Sequence, residues 1–390
     1  MREKYNLTQV LKNANQTITG NKKYSLVGQG DFPGGNNIKR GEMNTKHHTQ
    51  HLTIDNPEFP FFYDGKENVI GEHSSFHMNT DKEYEVIDIV KKYNERLKGR
   101  SKIALYFLYS KSDDSYTVIE RKEVENLTEN FGFEYNNEYL DQTYVGDIIP
   151  KNTELYKSTS YDEYDNFRIG INGRVLHAVH PAVQDDAIII AESFAKKMTN
   201  KVISRVIPIN DNTILLNLYG KPGKDGNYQG LPNIGDHINN GIICATRTIR
   251  ETKMFSDLRD AALNSINDQT DQIYYGSGDI IDINIYCNNP NIKLNKVNYQ
   301  LIEYYNDCKW FYTKIYKICK KIINSGSTNI DDEIHRWMRL AMNYLDTKSI
   351  WAWNDNTFSN MMVEVLIRDK EPITIGRKIT GKLSAGVKVY

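Results

Sequence analysis

The sequence VGDIIPKNTEL occupies residues 145–155, and its opening recurs as IGDHINNGII at residues 234–243. A shorter copy, IGRKI, follows at residues 375–379. In the two longer copies, Gly-Asp predicts a turn with a positive φ at the glycine, and the alternating Ile and Val residues predict a half-buried strand. Repeated turn-and-strand units of this kind are typical of small barrels and sandwiches, so we expect a β-rich architecture.

Alternating apolar residues predict further strands on both sides of these repeats. Residues 103–109 and 116–119 are expected to pair through a turn at 112–115, whereas residues 84–97 fit either a helix or a strand. The other predicted strands are 187–191, 202–209, 213–219, 279–286 and 362–366.

Two helices are predicted between residues 299 and 345. Residues 299–324 carry apolar side chains at helical spacing, and Ser325-Gly326-Ser327 follows them. The aromatic residues at 304–316 are expected to belong to the core of this helix. A second helix at 331–345 would be capped by Asn329 or Asp331. The pair predicts a helical hairpin inserted into a β-rich protein.

Composition limits the class of protein. The chain has 390 residues, enough for two or three domains, and a net charge of −1, so any basic surface must be local. Its four cysteines lack a C-x-x-C pair, which argues against a zinc ribbon and favours reduced thiols in the cytoplasm. Since there is neither an apolar leader nor a run of about 18 apolar residues, we expect no membrane segment.

Three groups of residues are candidates for chemistry. Asp185-Asp186 stand at the mouth of the 187–191 strand, where they could hold a divalent metal or form a solvated loop. Residues 372–390 carry basic side chains and no acid, which suits either phosphate contact or a solvated tail. The histidines at 47, 48, 51, 177 and 180 lack further ligands at a convincing spacing, which favours polar surface over zinc.

The segment Arg40-Gly41-Glu42-Met43-Asn44-Thr45-Lys46-His47-His48-Thr49-Gln50 resembles an R-x-x-M-x-x-N-x-x-x-Q stretch of the β subunit of bacterial-type multi-subunit RNA polymerases. Arg40, Met43 and Gln50 match that pattern, and Lys46 replaces the usual Asn. The resemblance implies that Arg40, Lys46 and Gln50 position RNA. Residues 57–67, which end in Asp-Gly-Lys-Glu, resemble the P…TGxE segment that follows in the family.

Further along, residues 172–175 and 184–193 resemble the family's N-x-R-V … F-E-D-[SA]-I-[LV]-[VI]-S-E motif. Asp186 matches the second acid, and Asp185 stands where Glu is usual. The resemblance implies that both are catalytic, with Asp186 holding the second Mg²⁺ directly or through water and Asp185 beside it. The principal Mg²⁺ would be held by the largest subunit, whose N-A-D-F-D-G-D motif does not occur here.

Residues 200–282 resemble the family's flap module, and residues 362–382 resemble the strand that carries G-D-K-x-x-G-R. There Lys378 matches a lysine that contacts phosphate, and Lys382 replaces the arginine as a nucleic-acid contact. Gly386 falls where a second lysine is usual. The similarity spans about residues 25–290 and 360–385 and is of the split kind found in large-genome bacteriophage polymerases.

The resemblance implies an α+β, β-rich fold: a double-psi-type β-barrel interrupted by a flap-like β module and a helical insert. The chain would be a part of a DNA-directed RNA polymerase in the cytoplasm. Its protein partners would be β′-type subunits, the remaining β fragments and a promoter-specificity factor. It would act on template DNA, RNA and NTPs and would bind no zinc. The alternatives are a non-catalytic assembly scaffold or a stand-alone metal-dependent phosphotransferase or nuclease. The expected regions are an RNA-path segment at 1–60, an α/β connection at 61–145, the first part of the barrel at 146–200, the flap-like module at 201–290, the helical insert at 291–350 and the basic terminal strand at 351–390.

Overall fold

The computed structural model describes a little over half of the chain. The described residues are 54–59, 77–92, 103–128, 131–161, 168, 170–174, 176, 187–202, 205–209, 213–216, 218–219, 229–249, 269–288, 299–327, 329–346, 352–353, 356–357, 361–373 and 384–389.

The described part is α+β and rich in strands, as expected. Its strands are β1 (His77–Asn79), β2 (Tyr84–Lys91), β3 (Ala104–Ser110), β4 (Ser115–Arg121), β5 (Val124–Thr128), β6 (Phe131–Asn136), β7 (Ile148–Ile149), β8 (Glu154–Ser158), β9 (Ala187–Ala191), β10 (Thr199–Val202), β11 (Arg205–Ile209), β12 (Thr213–Leu215), β13 (His237–Ile249), β14 (Gln269–Cys287), β15 (Asn329–Ile330), β16 (Ala352–Trp353), β17 (Asn356–Thr357), β18 (Met361–Pro372) and β19 (Ser384–Val389). Its helices are α1 (Glu138–Asp141), α2 (Glu192–Lys197), α3 (Tyr299–Ile323) and α4 (Asp332–Leu345).

The strands form three larger sheets and two isolated pairs. A long sheet has the order β10-β18-β14-β13-β12, with β11 also on β18. A five-stranded sheet has the order β15-β4-β3-β2-β7, and a four-stranded sheet the order β1-β8-β6-β5. The pairs are β16–β17 and β9–β19. Within the described residues these sheets are open, and no closed barrel is formed among them.

The two repeated turns have the predicted geometry. Gly146 and Gly235 each have a φ of +91°. The carboxylate of Asp147 accepts a hydrogen bond from the backbone N–H of Tyr144 at 2.7 Å, and that of Asp236 accepts one from Asn233 at 2.8 Å. Each Gly-Asp pair thus ends the same four-residue turn ahead of a strand, with the Asp carboxylate bonded back to the first residue of the turn. This confirms the turn predicted from the repeat.

The five-stranded sheet is covered on both faces. In β3 the side chains alternate: Leu105 and Phe107 face the helices, whereas Tyr106 and Leu108 face the four-stranded sheet. The neighbouring β2 contains a bulge at Ile87, because Val86 pairs with Leu108 and Asp88 with Phe107. The bulge shifts the alternation by one residue, so Val86 and Val90 enter cores on opposite faces. Residues 84–91, which fitted helix or strand, are therefore a bulged strand.

Helix α3 belongs to two hydrophobic cores. Near its start, Leu301 and Tyr304 pack with the long sheet. Further along, Phe311, Ile315 and Cys319 pack with the five-stranded sheet and with α4. Because a 25-residue helix extends about 37 Å, α3 can bridge two sheets that lie side by side.

The helical hairpin was predicted with nearly its observed bounds. Helix α4 begins after Asp331, whose carboxylate accepts a hydrogen bond from the backbone N–H of Glu333 at 3.2 Å, so Asp331 is the N-cap. One expectation was wrong: Trp310 does not belong to the core, since 44% of its surface is exposed. Trp310 lies off the buried side of α3, which runs through Leu301, Tyr304, Cys308, Phe311, Ile315 and Cys319.

Strand pairing crosses several of the expected regional boundaries. Ile149 and Leu155 share a core with Tyr84 and Val86, although they fall in different predicted regions. Strand β18 pairs with β14 along its first part and with β10 at its end. Since most of the 1–60 region lies outside the described residues, the division into regions stays a prediction.

Candidate functional site

All of the predicted site residues lie outside the described residues. They are Arg40, Lys46, Gln50, Asp185, Asp186, Lys378 and Lys382. The described structure does show the strands that immediately precede or follow several of them, and it is these strands that define the candidate site.

Strands β9 and β19 form a parallel pair. Ala187 is opposite Ser384, and the register continues to Ala191 opposite Val389. In a parallel pair both strands begin at the same edge. Asp186 directly precedes Ala187 in the sequence, and Lys382 precedes Ser384 by two residues. Both strands therefore begin at the same edge. β9 begins directly after Asp185-Asp186, and β19 begins just after Lys382.

A bulge interrupts this pair. Ala385 is opposite Ile188 and Val387 opposite Ile189, which leaves Gly386 as the extra residue of β19. Bulges are common beside functional sites, where they redirect the strand and its side chains. Gly386 is the residue for which the resemblance drawn from the sequence led us to expect a lysine.

The end of β18 lies beside the helix that follows β9. Ile373 directly follows β18, is almost fully buried, and donates its backbone N–H to the carbonyl of Met198 at 3.1 Å. A small core joins Ile373 and Met198 to Ile190 and Ala195. The chain that leads to Lys378 therefore starts from a fixed point next to the β9–β19 pair.

Residues 54–59 pack against the same module. The Glu58 carboxylate accepts hydrogen bonds from the backbone N–H of Asn172 at 3.0 Å and from its side-chain amide at 3.3 Å. Lys197 of α2 is 3.3 Å from the same carboxylate. The hydrogen bond from the Asn172 backbone, with Lys197 beside it, lowers the pKa of Glu58 and keeps it ionised.

A second anchor of this segment is Asp55. Its backbone N–H donates to the carbonyl of Thr199 at 2.9 Å, and its carboxylate is 2.7 Å from the ammonium of Lys370 in β18. Four stretches that are distant in sequence therefore meet at one place: 54–59, 170–174, 187–199 and 361–373, with β19 alongside.

Gly173 shows how closely these stretches approach one another. A Cβ atom added to Gly173 would lie 2.6 Å from the ring of Phe194 in α2. Only glycine allows the 170–174 backbone to pass so near α2 without moving the ring. The glycine of the predicted N-x-R-V motif is thus explained by packing.

A second polar cluster, which sequence reasoning missed, lies buried between the long sheet and α3. The ammonium of Lys92, at the end of β2, is 2.5 Å from the carboxylate of Asp282 in β14. The side chains of Lys92 and Asp282 are 5% and 1% exposed. Lys92 also donates to Asn284, whose amide donates to Glu364 of β18 at 3.0 Å. The cluster joins the two sheets by a buried, hydrogen-bonded ion pair.

Burial changes the protonation of this cluster. Burial alone would lower the pKa of Lys92, but Asp282, together with Cys308 and Glu364, offsets it, so the pKa is raised. Burial raises the pKa of Glu364, against the opposing effects of Asn284 and Lys92. The Tyr344 hydroxyl of α4 donates to the carbonyl of Ile285 at 2.6 Å and closes the helical side. One signal in the sequence was Asp282 itself, a charged residue between Ile281 and Ile283 in an apolar strand.

The chemical capacity of these two places differs. The Lys92–Asp282 cluster is enclosed, so it suits a structural role. At the β9–β19 edge, by contrast, each strand follows a charged segment in the sequence: Asp185-Asp186 before β9 and Lys382 before β19. This edge is therefore the candidate place for substrate binding. Among the described residues, no group of three or more His, Cys, Asp or Glu side chains could hold a metal ion.

No family model matches the chain, and no curated protein matches its sequence. None of the helices in the described part of the chain has both the length and the apolar character needed to cross a bilayer. All four cysteines fall within that part and are free thiols.

Proposed function

We propose that this chain is part of the β subunit of a multi-subunit DNA-dependent RNA polymerase and contributes to nucleotidyl transfer together with partner subunits. The observation that carries the proposal is the parallel β9–β19 register. It starts two strands at one edge, one straight after Asp185-Asp186 and the other just after Lys382.

The convergence of stretches distant in sequence supports the same proposal. The motif-bearing stretches at 57–67, 172–175, 184–193 and 362–382 resemble the polymerase family in the correct order. Described parts of each meet around the core of Ile190, Met198 and Ile373. A chance resemblance in sequence would not require these stretches to be neighbours in space. In the finer form of the proposal, this module belongs to a double-psi-type barrel, and the β13–β14 hairpin belongs to the flap-like module.

The proposed reaction joins a nucleotide to the growing RNA. The 3′-hydroxyl loses its proton and attacks the α-phosphorus of an NTP, a P–O bond forms, and pyrophosphate leaves. Asp186, with Asp185 beside it, would bind the second Mg²⁺ or its waters, and Lys378 would neutralise phosphate charge. Arg40, Lys46, Gln50 and Lys382 would contact RNA or nucleotide phosphates. The principal Mg²⁺ would be held by the β′-type partner.

The first test is the identity of the partners. An affinity-tagged copy is purified from its native cell, and the proteins that accompany it are identified by mass spectrometry. We expect large chains that carry a D-F-D-G-D motif, together with further β fragments. A tagged chain that purifies alone, and that hydrolyses or transfers phosphate by itself, would support the stand-alone phosphotransferase or nuclease instead.

The second test is the substitution Asp186→Asn in the assembled complex. If Asp186 holds a metal through water, elongation should fall by about 10–100-fold, and the Mg²⁺ concentration for half-maximal rate should rise. Assembly should be unchanged. Asp332→Asn is the matched control, because it is the same chemical change at an exposed position in the first turn of α4, outside the stretches that resemble the polymerase family. Equal elongation rates for wild type and Asp186→Asn would favour the assembly scaffold.

A further inference from the structure

The outer face of α3 has an unusual charge distribution. From Cys308 to Ile330 the sequence contains five lysines and no Asp or Glu, although the whole chain has 49 basic and 50 acidic residues. The five are Lys309, Lys314, Lys317, Lys320 and Lys321, and all are exposed. In an overall neutral chain, a local basic surface of this kind is the electrostatic feature expected of a polyanion site.

Helical geometry gathers these lysines on one side. At 3.6 residues per turn they fall within an arc of about 140°, opposite the buried positions such as Phe311 and Ile315. From Lys309 to Lys321 the face extends about 18 Å along the axis. Trp310 lies within the same arc and is 44% exposed. We call the five lysines and Trp310 the basic helix face.

The charges of this face are not used within the described structure. No ion pair among the described residues involves any of the five lysines. The Lys314 ammonium instead lies 5.5 Å from the centre of the Trp310 ring, and the Lys320 ammonium 5.7 Å from that of Tyr316. Such cation–π contacts keep an aromatic ring and a positive charge side by side at the surface.

Simpler explanations account for only part of this face. Lys320 and Lys321 lie in the last turn, where they stabilise the helix dipole. Lys309, Lys314 and Lys317 lie further back, where that effect has faded. A membrane surface would need an apolar helix side to enter the lipid, but the apolar side of α3 is buried in two cores. An exposed tryptophan among lysines fits a base stacked over a phosphate-binding surface.

We propose that the basic helix face binds single-stranded nucleic acid, with the lysines contacting phosphates and Trp310 stacking on a base. The helical hairpin lies outside the stretches that resemble the polymerase family, so this surface does not depend on the proposed catalytic role. It would act as an additional contact for a strand that passes along the outside of α3.

The test of the lysines uses the full chain and a fluorescently labelled 20-nucleotide DNA strand without secondary structure. Binding is measured by fluorescence anisotropy over a range of salt concentrations. Lys309→Gln, Lys314→Gln and Lys317→Gln are combined. Loss of three phosphate contacts should weaken binding at least tenfold at low salt and reduce the slope of log K against log salt by about 2. The matched control is the triple variant Lys91→Gln, Lys111→Gln, Lys151→Gln, which removes three exposed lysines elsewhere and should retain wild-type affinity and slope.

The test of the aromatic contact uses Trp310→Ala and Trp310→Tyr. The alanine variant should weaken binding of the single strand by about tenfold and leave binding of a matched duplex unchanged, and the tyrosine variant should restore most of the loss. Circular dichroism confirms that the variants are folded.

Three results would overturn the proposal: identical binding by the lysine triple and its control, equal loss of single-strand and duplex binding in Trp310→Ala, or binding to anionic lipid vesicles in preference to DNA. The proposed function is tested by the partners that accompany the tagged chain, whereas this proposal is tested by DNA binding, so the catalytic proposal and this one can fail separately.

Discussion

At the scale of single residues, the buried cluster around Lys92 joins the long sheet to the five-stranded sheet. The protonation of its carboxylates therefore affects the stability of the fold. Asp282 pairs with the ammonium of Lys92 at 2.5 Å. The second carboxylate nearby, Glu364, therefore shares that positive charge with Asp282. Burial raises its pKa, and its bonding partners include the amide of Asn284 and the hydroxyl of Tyr286. The folded protein therefore favours the protonated form of Glu364 more than the unfolded chain does.

This linkage predicts the pH dependence of Glu364→Gln. Because the folded pKa is raised, the stability due to protonated Glu364 is complete below its ordinary pKa of 4.5 and is lost as pH rises through the raised value. Gln keeps the shape without the charge, so the variant should gain stability relative to wild type as pH rises from 5 to 8. Urea unfolding across that range measures the difference.

Asn306→Gln, at an exposed position of α3, is the control for that measurement, because neither side chain titrates. Its difference from wild type should change little with pH. Parallel stability curves for wild type and Glu364→Gln would show that Glu364 titrates alike in the folded and unfolded chain.

Single residues also explain where sequence patterns failed. The alternation expected for Ile281, Ile283 and Ile285 breaks because Ile281 is a bulge, so Ile280 enters the core instead. A bulge depends on the partner strand and leaves no local mark in the sequence. Trp310 was assigned to the core because it stands among apolar residues at helical spacing, but the buried side of α3 includes the two small cysteines Cys308 and Cys319 instead.

At the scale of elements, Gly278 of β14 lies very close to the backbone of β18. Its φ is +115°, and an added Cβ would lie 2.2 Å from the backbone oxygen of Arg368. A backbone atom of a paired strand cannot move aside as a flexible side chain can. The same neighbourhood holds the guanidinium of Arg368, 3.2 Å from Asp279 and 3.3 Å from Glu134.

Gly278→Ala should therefore destabilise the protein by about 2–4 kcal/mol, from backbone strain and overpacking together. Gly235→Ala separates the two effects. Its φ is +91°, but nothing lies within 4 Å of the added Cβ, so only strain of about 1–2 kcal/mol is expected. Denaturant midpoints measure both. Equal losses would mean that the strand relaxes around Gly278 and that the close approach has no cost.

Elements were predicted best where the signal is local. The hairpin of β3 and β4, the bounds of α3 and α4, the N-cap of α4 and the Gly-Asp turns depend on residues close in sequence, and the structure has them. The β9–β19 pairing was not predicted, because nothing within either strand specifies a partner so distant in the chain. The acidic pair and the basic terminal stretch were recognised separately, but their common edge depends on this long-range pairing.

At the scale of the whole molecule, α3 joins the cores of the long sheet and the five-stranded sheet. Leu301→Ala, in the first core, and Ile315→Ala, in the second, should each cost about 2–5 kcal/mol, because both side chains are fully buried. If α3 makes the two cores one cooperative unit, each substitution should shift a single unfolding transition. Far-ultraviolet circular dichroism and tryptophan fluorescence should report the same midpoint.

Ile302→Ala, at a partly buried position of the same helix, is the control for helix propensity and should cost less. Two separate transitions, with only one of them moved by each substitution, would show that the two cores unfold independently despite the shared helix.

The parallel pairing of β9 with β19 has a consequence for the order of events during synthesis. Residues 187–191 leave the ribosome long before residues 384–389, and in between the long sheet and the helical hairpin are made. Until β19 arrives, β9 lacks the strand that it pairs with in the finished protein. A growing chain would thus carry an unsatisfied strand edge beside its acidic pair, open to mispairing or to a chaperone. The edge we regard as the functional site would be assembled late, after most of the scaffold is already in place.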